Sequence, residues 1–251
     1  MKKLAILSLF LCFGIQSQSQ VLITLLLGDK LNSEGLEFGL EGGVNGSNLN
    51  GLETRNPLVN FNLGFYFDIL IKENWYVYTG CLVKSNMGVA KLTDNDLIAL
   101  DATKYEGEID GILIEGNYSQ EMNYFLVPAL IKYRWDNRFY VEGGAQFGLM
   151  YKSWIQFDSD IEGREATIKE FNTDDLNTID VGAAVGVGYK LPTEKGWTIG
   201  LRYYYGFTNV YKETVIPSSN NRGFFAKLNI PIGAGKAKAK REAEAAAKES
   251  K

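Results

Sequence analysis

The chain has 251 residues, 45% of them hydrophobic and 13% aromatic, with 27 glycines against five prolines and four methionines, a balance that favours closely packed strands over helices. A net charge of −4 leaves no basic surface to neutralise phosphates, so a nucleic-acid partner is not expected. The sequence has no histidine, which removes Ser-His-Asp triads, imidazole general bases and His-ligated metal sites.

In chain order, Lys2 and Lys3 precede an apolar run over 4–15 and the small-x-small site Ser17-Gln18-Ser19. This pattern predicts a cleaved export signal over 1–19, because the run is shorter than the roughly 20 residues a spanning helix needs. Cys12 follows Leu11 inside that run, so no lipid attachment is expected there, and Cys81 then remains as a lone thiol. Residues 20–35 contain a second short apolar run, 21–27, and are expected to form an N-terminal periplasmic segment docked at the periplasmic mouth of a barrel.

Alternation then takes over. Leu36, Phe38 and Leu40 interleave with Glu37, Gly39 and Glu41; over 59–71, Val59, Phe61, Leu63, Phe65, Phe67, Ile69 and Ile71 interleave with Asn60, Asn62, Gly64, Tyr66 and Asp68. A third segment runs over 75–92, its phase blurred by Tyr76 and Tyr78. The clearest stretch is a hairpin over 124–154. Its first arm sets Phe125, Val127, Ala129, Ile131, Tyr133 and Trp135 against Lys132 and Arg134. After Asp136-Asn137, read as a two-residue turn, Phe139, Val141, Gly143, Ala145, Phe147, Leu149 and Tyr151 oppose Tyr140, Glu142, Gln146, Met150 and Lys152. Segments over 176–191, 197–205 and 224–232 repeat the pattern. A one-residue slip would exchange the two faces, so the register is strongly specified.

The eight segments are joined by connections that alternate short (72–74, 136–137, 192–196) and long (50–55, 93–117, 156–173, 213–220). Short periplasmic turns and longer external loops in this order predict an all-β, eight-stranded antiparallel up-and-down transmembrane β-barrel over 36–232 in the bacterial outer membrane. A soluble lipocalin-like ligand-binding barrel is the alternative, and it would put apolar side chains inside and charge outside. Trp75, Trp135 and Trp197 fall beside short turns and Trp154 near the opposite ends, where interfacial aromatic anchors belong. Residues 233–251 form a charged Ala/Lys/Glu-rich tail, with Lys236, Lys238 and Lys240 leading into Glu242 and Glu244, expected to be solvated in the periplasm.

The runs Phe125-Leu126-Val127-Pro128-Ala129-Leu130-Ile131-Lys132-Tyr133, Phe139-Tyr140-Val141-Glu142-Gly143-Gly144 and Leu36-Glu37-Phe38-Gly39 resemble the PorT-like outer-membrane β-barrel proteins of Bacteroidetes-type bacteria. The resemblance covers nearly the whole mature chain as a pattern, and implies a small eight-stranded barrel behind a signal peptide. The family takes its name from a member linked to secretion, a role that no residue of this chain carries over.

By phase, Glu37, Glu41, Asp68, Lys132, Arg134, Glu142, Asp180, Arg202 and Lys227 point inward, as do Lys152 and Lys190. They are expected to form a lumen charge network, with Arg202 and Lys132 against Glu142 and Asp180, because an unpaired charge there would be costly. Such a network fills the interior of an eight-stranded barrel without a wide pore. Residues 158–163 resemble the first half of an EF-hand loop, but the twelfth position is Lys169, so neither a metal nor a cofactor is expected. The expected role is a non-enzymatic envelope barrel, monomeric, in contact with lipid and lipopolysaccharide, with loops 93–117 and 156–173 as the places where a protein partner would bind. The alternative from another class is a narrow channel or small-solute transporter, which needs a wet path past Tyr66, Tyr140 and Tyr204.

Overall fold

The computed structural model describes residues 35–232 apart from 106–107, 110–111, 114, 162–163 and 194–195. The predicted export signal, almost all of 20–35 and the tail 233–251 lie outside the described residues. In chain order the elements are β1 (Leu36–Leu49), β2 (Asn56–Lys72), β3 (Trp75–Ala90), helix α1 (Asp94–Ala99), a small hairpin of β4 (Glu108–Ile109) and β5 (Ile112–Leu113), then β6 (Asn117–Arg134), β7 (Phe139–Ile161), β8 (Arg164–Phe171), β9 (Ile179–Lys190), β10 (Thr198–Gly206) and β11 (Asn221–Pro231). With β4, β5 and β8 set aside, each strand pairs antiparallel with its neighbours in sequence, and β1 closes on β11 from Gly39↔Pro231 to Leu49↔Asn221. The result is an eight-stranded up-and-down barrel.

Its faces follow the alternation. Phe147, Leu149, Val185, Val187, Ile199 and Leu201 stand exposed on the outer wall, while Glu41, Lys132, Glu142, Arg202 and Lys227 are buried inside. A continuous apolar band of this extent is not left in water, and a soluble lipocalin-like barrel would be polar outside, so that alternative is excluded. Glycines make room for the long inward side chains. Gly186 pairs with both Glu142 and Arg202, and Gly43 and Gly200 both pair with Lys227. A Cβ on Gly200 would come within 2.1 Å of the Tyr140 hydroxyl.

Two bulges break the phase that simple alternation predicts. In β3 the register shifts where Leu63 pairs with Lys84 and Gly64 with Leu82, leaving Val83 extra. Tyr78 and Leu82 therefore face in below the bulge, and Ser85 and Met87 above it. In β7 the shift falls where Asn123 pairs with Lys152 and Tyr124 with Met150. Past Tyr151 the faces exchange: Lys152 is exposed, contrary to its inward prediction, and Ser153, Ile155 and Phe157 are buried. A bulge inserts one residue on one strand and so reverses every later side chain.

The connection expected at 156–173 is largely strand. β7 continues to Ile161 and β8 returns along it from Ile161↔Arg164 to Trp154↔Phe171, so Asp158 lies in a strand and not in a loop. Polar residues at alternate positions suit a two-sided strand in solvent, which is why charge alone suggested a loop. The hairpin between β6 and β7 is longer than two residues: Arg138 adopts φ +73° and its N–H donates to the Trp135 carbonyl at 2.9 Å.

Aromatic rings band the barrel near both rims. Trp75 and Tyr133 lie 4.9 Å apart, Tyr133 and Trp135 5.1 Å, and Phe139 and Tyr189 4.8 Å beside the short turns. Phe125 and Tyr151, 4.7 Å apart, lie toward the long-loop end. Trp75 and Trp135 are 48% and 43% exposed and Trp197 is partly buried, but Trp154 is only 5% exposed. The Lys169 ammonium sits 4.5 Å above the Trp154 ring, and Phe171 flanks it at 6.4 Å, because β8 covers this face.

Candidate functional site

The middle of the lumen holds three carboxylates and three cations among the described residues. Lys132 Nζ donates to both oxygens of Asp68, at 2.8 and 2.9 Å, and lies 3.8 Å from Glu142, its cross-strand neighbour. Glu142 Oε1 accepts from Arg202 Nε at 2.9 Å and from Lys227 Nζ at 2.7 Å. Arg202 also reaches Glu41 at 3.6 Å. Because strands β1, β2, β6, β7, β10 and β11 each contribute one of these groups, the cluster ties most of the ring together.

Tyr78 is the neutral centre of this cluster. Its ring lies 4.1 Å from the Lys132 ammonium, 4.0 Å from that of Lys227 and 4.9 Å from the Arg202 guanidinium. Its hydroxyl donates to Glu41 and accepts from Asn229 Nδ2 at 3.0 Å, and Tyr66 stacks on it at 5.8 Å. The quadrupole of the ring offers a further negative face to cations whose carboxylates are shared.

Toward the short turns the lumen ends on a smaller set. Lys190 pairs with Glu37, which also accepts from the Tyr66 hydroxyl at 2.9 Å. Arg134 stacks over the Tyr76 ring at 4.2 Å and donates to its hydroxyl. Asp180 stands apart from the ion pairs. Instead of a lysine or arginine it meets the Tyr204 hydroxyl at 2.9 Å, Thr208 Oγ1 at 3.0 Å and Asn221 Nδ2 at 2.7 Å. The expected Arg202 or Lys132 contact to Asp180 is therefore corrected: it lies near the long-loop end of β9, whereas the cations cluster nearer the middle.

The long-loop end carries an ordered cap. Leu49, Leu52, Leu97, Leu100, Leu176 and Tyr211 are buried in one apolar cluster that continues into the lumen through Met87 and Met122. One side chain holds α1 over this cluster. Asp96 accepts from the backbone N–H of Glu53 at 2.6 Å, Thr54 at 3.1 Å and Thr93 at 2.9 Å, while Thr93 Oγ1 accepts from Asp96 N at 3.1 Å to complete a capping box. Tyr211 donates to Gln120 Oε1 at 2.8 Å, and burial raises its hydroxyl well above the usual phenol range, so it remains a donor. Alternation singles out neither Asp96 nor Gln120. The signal that marks Asp96 is Thr93-x-x-Asp96 ahead of an apolar pair.

Replacing Asp96 with alanine removes three charge-assisted acceptor contacts, worth about 1–2 kcal/mol for a cap of this kind. The expected result is faster proteolysis within 50–55 and 91–105 with the barrel itself intact, read as cleavage fragments from folded protein.

Chemically, the inward carboxylates are engaged by donors. Glu142 faces three cations, Asp68 is clasped by Lys132, and Glu41 by Tyr78 and Arg202.

The family model described as outer membrane protein beta-barrel domain matches residues 16–212. Among solved structures, the attachment invasion locus protein Ail of Yersinia pestis is 14% identical, with 78% of this chain and 99% of that chain covered and a TM-score of 0.40. Neisserial surface protein A is 12% identical over 78% and 98%, with a TM-score of 0.37. The outer membrane protein OprG from Pseudomonas aeruginosa is 10% identical over 78% and 91%, with a TM-score of 0.31. A comparison with curated proteins finds no match.

Proposed function

The chain belongs to the outer membrane β-barrel family and resides in the bacterial outer membrane, and from that premise we propose that it is a closed, non-enzymatic barrel that presents its long-loop end to a partner. The observation that carries this reading is the filled lumen: a buried network of Arg202, Lys132, Lys227, Glu142, Glu41 and Asp68 below an apolar cap. Its role is structural, holding the strands in register and excluding a wide path. The finer placement is with the PorT-like group. The proposed organisation is an export signal over 1–19, a periplasmic segment over 20–35, the barrel over 36–232 and a periplasmic tail over 233–251. The short turns then face the periplasm, and the outer wall contacts lipid and lipopolysaccharide.

A narrow channel is the second reading. It is favoured by buried lumen atoms without a protein hydrogen-bond partner, among them the Tyr140 hydroxyl, Asn45 Oδ1 and Asn229 Oδ1, which suit a thread of water. Planar-bilayer recording of the refolded chain separates the two. The closed barrel gives no resolved steps above the leak of a protein-free bilayer, whereas stable, repeated conductance steps would establish the channel instead.

A further inference from the structure

Strand β8 leaves the ring and keeps one side open. Up to Leu149↔Ile179, β7 is flanked by β9, and beyond Trp154 the same side is taken by β8. Among the described residues, no strand pairs with the other edge of β8, and Glu165 to Lys169 are exposed. An open edge is a row of unpaired N–H and C=O groups that templates a further strand.

The sequence of this edge specifies what that strand is. From Glu165 to Glu170 it reads Glu-Ala-Thr-Ile-Lys-Glu. Laid antiparallel against itself about Thr167, it sets Glu165 opposite Lys169 on both sides of the axis, so each of these charges meets its opposite. Moving the register by one residue toward the end of the strand sets Glu165 against Glu170, and parallel pairing in register sets each charge against its own kind. Directly opposed cross-strand charges stabilise when opposite and destabilise when alike. We propose that the open edge of β8 is a homotypic docking strand that pairs with the same strand of a second copy, an inference that rests on the loop-presenting role above and names its partner.

The orientation of the second copy comes from the pairing. β7 runs from the short turns toward the long-loop end and β8 runs back along it. Two barrels in one membrane direct their β8 strands the same way and can offer each other only parallel edges. Antiparallel pairing needs an inverted copy, on a facing membrane, related by a two-fold axis through Thr167. The strand is already ordered for this. Thr167 Oγ1 donates to Asp158 Oδ1 at 2.6 Å, and Glu170 Oε2 accepts from the Thr103 N–H at 3.0 Å, so little conformational freedom is lost on pairing. One such contact is small, and many between apposed membranes act together.

The test is clustering of phosphatidylcholine vesicles carrying the refolded full chain, followed by light scattering. Wild-type vesicles cluster; vesicles carrying Glu165→Lys alone or Lys169→Glu alone do not, because each change opposes like charges. A mixture of the two populations clusters again, since each introduced charge meets its opposite on the other copy. A boiling-dependent gel shift in both variants shows that they fold. No clustering by wild type, clustering indifferent to the variants, or a mixture that stays dispersed would overturn the proposal. Failure here in vesicles that do not conduct ions sinks the pairing alone, whereas conducting vesicles sink the closed-barrel reading beneath it.

Discussion

Replacing Glu142 with alanine is expected to destabilise the folded barrel by about 3–5 kcal/mol, the cost of removing one partner from a buried ionic group. Glu142 accepts from Arg202 and Lys227 and lies 3.8 Å from Lys132, and all three cations are buried. Without it Lys132 keeps Asp68 and Arg202 keeps Glu41, but Lys227 loses its carboxylate and retains the Tyr78 ring. The measurement is the temperature at which the fast-migrating folded band on a cold gel converts to the unfolded band. Restoring neutrality should recover part of the loss, so Glu142→Ala combined with Lys227→Met is expected to melt above Glu142→Ala alone. Equal melting of wild type and Glu142→Ala would show that the network contributes nothing to the barrel.

Val185→Arg is expected to cost about 2–4 kcal/mol, the range for a cation placed on a lipid-facing wall at the membrane midplane. Val185 sits at the middle of β9 and is 58% exposed on the outer face. In a soluble barrel the same substitution would sit in water and cost almost nothing. Refolding into bilayers across a denaturant series reads the difference, with Val185→Ala as the control for lost bulk. Gly186, the next residue along, points into the lumen, where a Cβ would lie 2.9 Å from Glu142 Oε1. Neighbouring positions thus fail for opposite reasons, one from lipid and one from crowding.

The wall was legible in the sequence because a strand has a period of two, and Phe139 to Tyr151 keeps that period without interruption. What the period cannot show is a break in itself. The extra residue in β7 turns Lys152 outward and Ser153 inward, and nothing in the residue types near Tyr151 announces it. The inward charges were legible as a set, but their partners depend on depth as well as phase. Asp180 shares a face with Glu142 yet lies near the far end of its strand, where tyrosine, threonine and asparagine side chains are within reach and the cations are not. Loops were the least legible. The stretch that begins at Thr93 reads in the sequence as one long connection, whereas the Asp96 carboxylate gathers three backbone donors and seats Leu97 and Leu100 over the mouth. Hydrogen bonds that close a loop join residues about 40 apart, such as Asp96 with Glu53 and Thr54, and no local pattern records them.

The most direct test of a closed barrel with its apolar face outward is the mobility of detergent-extracted, membrane-fraction protein on a cold gel, with and without boiling. Such a barrel sediments with outer membrane and migrates faster unboiled than boiled. Protein that stays monodisperse in the soluble fraction without detergent, with one mobility before and after boiling, would contradict it.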